Sequence, residues 1–131
     1  MKIGRCPLIL SLVLALSLGS LALAQAPKLN PIGTWTGKAE NQGNFDDITI
    51  IIEKKDNNYT GKITDAMGMF PGVEIKNFVW KDNKVTFEFP GSMGGMTFNL
   101  KAELTLTEKT MDGTWTMVED GSTGTLALNK Q

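Results

Sequence analysis

From residue 33 to the end, most of the chain falls into segments that place an apolar or small residue at every second position, divided by short turn signals. The longest example sets Met96, Phe98, Leu100, Ala102 and Leu104 against Thr97, Asn99, Lys101 and Glu103. Successive side chains of a strand point to opposite faces, so a period of two builds strands with one buried and one wet face. No helical period of useful length occurs after residue 24, and the chain is expected to be all-β.

Eight strands are expected. The first, about 34–39, begins inside Gly33-Thr34-Trp35-Thr36-Gly37, whose first four residues recur as Gly113-Thr114-Trp115-Thr116 in the seventh, 111–117. Both tryptophans are read as inward. The second strand turns Ile48, Ile50 and Ile52 inward, the third Tyr59, Gly61 and Ile63, and the fifth Val85, Phe87 and Phe89. The sixth is the long run from Met96, and the eighth turns Gly124, Leu126 and Leu128 inward. In the fourth, 73–80, Val73 and Ile75 share one face while Phe78 and Trp80 share the other. A β-bulge near Lys76-Asn77 would bring all four inside.

Eight strands with short connections read as an antiparallel meander. A flat sheet would leave its apolar face wet and two edges unpaired, whereas closure into a barrel removes both problems. An eight-stranded up-and-down β-barrel is therefore expected, with a two-sheet sandwich as the alternative. Consecutive turns of a meander alternate between its two rims. Connections 40–44, 65–72, 90–95 and 118–122 fall on one rim and are read as the longer, glycine-rich set; 56–58, 81–83 and 107–110 close the other. Gly33 and Trp35 are assigned to closure of that shut end. The inward glycines at 37, 61, 113 and 124 are read as room for the tryptophans.

The first 24 residues have the three-part pattern of a secretory signal: Lys2 and Arg5, an apolar run over 8–18, then Ala22-Leu23-Ala24. The run is short of the ~20 residues a membrane-spanning helix needs. The expected layout is a signal at 1–24, an extended lead-in at 25–32 and one domain at 33–131, periplasmic or secreted, without membrane insertion after cleavage. Cys6 falls within the signal and the sequence has no histidine, so disulfides and Cys- or His-ligated metals drop out. Without Lys2 and Arg5, the 13 basic residues fall to 11 against 14 acidic ones, a net charge of −3. Capture of nucleic acid requires a basic patch, so no nucleic-acid partner is expected.

Gly33-Thr34-Trp35 early in the first strand of an eight-stranded meander resembles the calycin superfamily of lipocalins, fatty-acid-binding proteins and avidins. The resemblance covers the fold of the chain after the signal, on a motif three residues long, and implies a lipocalin-like barrel whose ligand cavity opens at one end. There is no room for the helix that follows the lipocalin barrel, and no helical pair after the first strand as in fatty-acid-binding proteins. Residues 59–64, Tyr-Thr-Gly-Lys-Ile-Thr, look like the third-strand region of avidins, with Trp80 and Trp115 broadly like their pocket walls. Gly37 and Ile63 stand where avidins place polar biotin contacts, which speaks against biotin.

The open-rim segments carry Met67, Met69, Phe70 and Met93, with Met96 at their base. Methionine's flexible thioether suits an adaptable apolar surface. Together with Trp80 and Trp115 these residues are the candidate contacts for a small hydrophobic or amphipathic ligand. Trp115 has a competing reading as core packing beside Trp35, and Trp80 as an exposed ring. The methionines have two competing readings of their own: a plain cover over the open end, and soft thioether ligands for Cu(I). Asp46-Asp47 and Glu119-Asp120 share the same rim and could pair as a calcium site, although they lack EF-hand spacing. The expectation is of no metal and no cofactor. Acid–base catalysis calls for two buried carboxylates with separated pKa values, and every acidic residue within a clear strand is expected to face outward. The chain is therefore expected to be non-enzymatic, with a solid-core structural or protein-interaction module of the envelope as the alternative to a ligand carrier.

Overall fold

Tight turns set the architecture. In the computed structural model, which describes residues 28–131, the chain forms nine strands: β1 Gly33–Asn41, β2 Asn44–Lys55, β3 Asn58–Asp65, β4 Pro71–Glu74, β5 Lys76–Lys81, β6 Lys84–Met93, β7 Met96–Leu106, β8 Thr110–Met117 and β9 Thr123–Lys130. Three hairpins close through two central residues that both have positive φ: Gln42-Gly43, Asp56-Asn57 and Gly94-Gly95. That geometry twists with the flanking strands and favours Gly, Asn and Asp. The expected signal at 1–24, and residues 25–27 of the lead-in, lie outside the described residues.

The all-β expectation is met by one antiparallel sheet, in the order β4-β3-β2-β1-β9-β8-β7-β6-β5. The count is nine rather than eight because the expected fourth strand breaks at Ile75. Its first half pairs with β3 and its second half with β6. The two edges of the sheet are thus consecutive pieces of chain, joined through one residue. Asn77 has a φ of 52°, and the register shifts between Lys76 and Val79, which is the irregularity the broken alternation requires. Val73, Ile75, Phe78 and Trp80 all pack on the core as a result.

One core draws on the inward residues of the sheet. Trp35, Ile50, Ile52, Val85, Phe87, Leu106, Met111 and Leu128 are all but fully excluded from solvent. Burial of a large apolar side chain contributes roughly 1.5–3 kcal/mol. At the end where β1 begins, Trp35 donates its indole N–H to the Pro31 carbonyl at 2.9 Å, and the Lys130 ammonium lies 5.4 Å from the ring centroid. Lys130 also donates to the Asn30 carbonyl at 3.1 Å, so the lead-in is tied across this end.

Two expectations about the rims change. Segments 40–44 and 90–95 are not long loops: pairing runs on to Asn41↔Asn44 and Met93↔Met96, leaving two-residue turns. Pro90 is tolerated within β6, and a Cβ on Gly91 would meet the rings of Phe70 and Phe98. The glycines at 37 and 113 do not make room for tryptophans either. A Cβ there would collide with the carbonyls of Ala127 and Glu103 on neighbouring strands, so these glycines mark close backbone approach. Only Gly124, of the four, faces an indole, that of Trp115.

Candidate functional site

At the end opposite Trp35 the apolar face is not filled. A cavity of about 630 Å³ opens there. Ile48, Ile63, Phe89, Leu100 and Leu126 form its floor, all residues that alternate inward along their strands. Phe70, Phe98, Trp115 and Met117 line it further, and Phe45, Met67, Met93 and Met96 contribute exposed side chains. Met96 is 73% exposed and Met67 63%, large values for apolar side chains.

Of the seven residues singled out in the sequence, six line this cavity: Met67, Met69, Phe70, Met93, Met96 and Trp115. Trp80 does not. Its indole N–H donates to the Asp82 carbonyl at 2.8 Å, and its ring meets Tyr59 edge-on at 6.0 Å, in an aromatic cluster with Phe78 by the closed-end hairpins. Trp115, in turn, is not packed beside Trp35. Trp35 sits level with the closed end of β8, where Lys130 N–H reaches the Lys109 carbonyl. Trp115 lies six residues further along, roughly 20 Å at strand rise. The repeated motif occupies different heights because Gly33 opens its strand while Gly113 is the fourth residue of β8.

The segment between β3 and β4 is held by two carboxyl groups. Asp46 accepts the Met67 N–H at 3.1 Å; Asp65 accepts those of Met69 at 3.1 Å and Phe70 at 2.8 Å. Phe70 is thereby set edge-on to Phe89, with centroids 5.1 Å apart, and Ser92 N–H closes on the Met69 carbonyl at 3.2 Å. Asp46 corrects the expectation that strand carboxylates face outward. It shares the inward face of β2 with Ile48, Ile50 and Ile52 and is only 8% exposed. Burial, then the hydrogen bond and negative charge of Asp65, push its pKa up to about 6. Asp65 is shifted the other way: although burial acts to raise it, the bond to Asp46 and the loop N–H donors hold it below the ordinary carboxylate value.

The other acidic residues of the candidate calcium site do not converge. Asp47 faces outward, bonded to Lys38 at 2.7 Å. Glu119 accepts the backbone and side-chain N–H groups of Asn99, which hold its pKa down, and Asp120 caps its own turn through Ser122. Among the described residues, no cluster of three or more His, Cys, Asp or Glu is placed to hold a metal ion. The cavity wall includes four carboxylates, Glu40, Asp46, Glu119 and Asp120, and no Lys or Arg.

Sequence reasoning missed the Asp46–Asp65 pair and the floor of the cavity. The signal for Asp46 was there: carrying the Ile48, Ile50, Ile52 register back one step lands on residue 46. No protein-family model matches the chain, and no curated protein or solved structure is significantly similar to it.

Proposed function

We propose that this is an exported, non-enzymatic carrier that binds a small hydrophobic or amphipathic molecule in the cavity between β1–β3 and β6–β9. The observation that carries the reading is the cavity itself: about 630 Å³, floored by aliphatic and aromatic side chains and rimmed by methionines. Ligand sites are commonly concave, mostly apolar and several hundred cubic ångströms in size. The join of the sheet's two edges through Ile75 supports a closed, lipocalin-like barrel of calycin type, with β4 and β5 as one interrupted strand. Asp46 and Asp65 do have separated pKa values, but three of their four oxygens accept loop N–H groups. That is a structural commitment, and it supports holding a mouth rather than moving protons.

Titration of a neutral hydrophobic fluorophore, followed by its own emission and by Trp115 fluorescence, tests the reading. Saturable one-to-one binding is expected; emission that rises without saturation, or not at all, would overturn it. One observation favours the alternative of a protein-interaction module: Phe45, Met67, Met93 and Met96 expose apolar surface together at one end. On that reading the fluorophore is excluded.

A further inference from the structure

We propose that the exposed thioethers of Met67, Met93 and Met96 are a modification site: a peroxide-class oxidant converts them to sulfoxides, and the cavity then gives up its apolar ligand. The inference rests on the carrier reading above and adds a means of release to it.

The sulfur of the chain is concentrated in one place. Six methionines fall among the described residues, and five of them line the cavity: Met67, Met69, Met93, Met96 and Met117. The sixth, Met111, is fully buried in the core. An oxidant must reach the sulfur to react with it, and Met67 and Met96 stand well exposed at the rim, as does Met93 at 56%, with Met69 and Met117 half-buried behind them. The sequence's single thiol, Cys6, lies outside the described residues, so within 28–131 thioethers are the sulfur an oxidant meets. Met93 and Met96 are direct partners across the Gly94-Gly95 turn. Strand geometry puts the Cβ atoms of such a pair roughly 5 Å apart, so two sulfoxides would form on one face of one hairpin.

The reaction balances without any group that the protein must supply. A sulfur lone pair attacks one oxygen of hydrogen peroxide, the O–O bond breaks as the S–O bond forms, and hydroxide leaves. The hydroxide takes the proton from the transferred oxygen, giving one sulfoxide and one water; sulfur loses two electrons and the peroxide gains them. A flexible apolar side chain thereby becomes a polar one. The wall around it holds four carboxylates and no Lys or Arg, so no cation is at hand for the new acceptor, and it draws water into the mouth. The fold does not depend on these three side chains. The loop that carries Met67 is held through backbone N–H groups bonded to Asp46 and Asp65. Oxidation therefore changes the surface of the mouth and leaves its position. Exposure also leaves the sulfoxides open to enzymatic reduction, which makes the change reversible.

The test treats the protein with hydrogen peroxide for increasing times and then removes the oxidant. Peptide mass spectrometry locates the added oxygens, and titration of the neutral fluorophore reads the affinity. Met67, Met93 and Met96 are expected to be oxidised at least about tenfold faster than Met111. The affinity should fall at least about tenfold as they react, with little change in the thermal midpoint. Methionine sulfoxide reductases for both sulfoxide epimers should restore binding. In the triple variant Met67→Leu, Met93→Leu, Met96→Leu, the affinities before and after peroxide should agree, whatever the variant's own starting value. Should that variant bind no probe, recovery by the reductases carries the test. Oxidation of Met111 in step with the rim, unchanged affinity after rim oxidation, a response that persists in the leucine variant, or a loss that the reductases do not reverse would overturn the inference while leaving the carrier reading intact. Failure of the fluorophore to bind the untreated protein would remove both.

Discussion

Asp46 and Asp65 grip the same five-residue connection from two neighbouring strands, Asp46 at Met67 and Asp65 at Met69 and Phe70. The mouth of the cavity is thus positioned by buried charge rather than by regular secondary structure.

Stability should depend on pH through Asp46. Its folded pKa, near 6, lies above the unfolded value of 3.8. A carboxyl shifted in that direction stabilises the fold fully below the unfolded pKa, and the contribution is lost as pH rises through the folded one. Asp65, shifted downward, contributes stability that is fully present above the ordinary carboxylate range and is lost only as pH falls below it, so it does not vary between pH 5 and 8. Asp46→Asn should therefore match the wild type near pH 4 and be more stable by about 1–3 kcal/mol at pH 7. Urea denaturation at several pH values checks this; parallel curves for the two proteins would contradict it.

Asp65→Ala should release the loop without unfolding the sheet. It leaves the N–H groups of Met69 and Phe70 without their acceptor and costs about 1–3 kcal/mol. Hydrogen exchange should accelerate at those two amides, while Ile50 and Leu104 in the core stay protected.

The two tryptophans should respond differently to truncation. Trp35 is fully buried and hydrogen-bonded to Pro31, so Trp35→Ala should cost about 3–5 kcal/mol. Trp115 is half-buried on the cavity wall. Trp115→Ala should cost clearly less and should weaken probe binding, which thermal melts and titrations separate.

Gly113→Ala should be among the more damaging single-methyl changes, because the new Cβ would run into the Glu103 carbonyl across the β7–β8 pair. A loss of about 1–3 kcal/mol is expected from overpacking. Gly124→Ala meets the same kind of obstacle, the Glu40 carbonyl across the β1–β9 pair, and in addition the Trp115 ring, so it should destabilise the fold comparably and also shift the Trp115 fluorescence.

Much of the architecture was legible because its signals are local. Alternation located eight segments, of which 73–80 is two strands broken at Ile75, and the failed alternation at Lys76-Asn77 located the irregularity within β5. Strand ends were harder. Gln42-Gly43 and Gly94-Gly95 are two-residue turns, and composition alone does not separate them from longer glycine-rich loops. Six of the seven proposed contacts lie on the cavity because rim residues follow from the order of turns in a meander. Trp80 fails by the same rule, since it stands next to the 82–83 turn at the other end. For Trp115 the inward face follows from alternation, but its height follows from where in β8 the motif falls, and only the pairing with β9 fixes that. The Asp46–Asp65 pair joins positions nineteen apart across a register, which no single-strand pattern reveals.

The central claim, that the methionine-rimmed cavity is a binding site, is tested most directly by methyl NMR of the methionines during titration with a neutral hydrophobic probe. Met67, Met69, Met93, Met96 and Met117 line the cavity, whereas Met111 is buried at the opposite end and serves as an internal reference. Saturable shifts confined to the first five, with Met111 unmoved, are the expected result. Absence of saturable shifts, or shifts of similar size at Met111, would contradict the account.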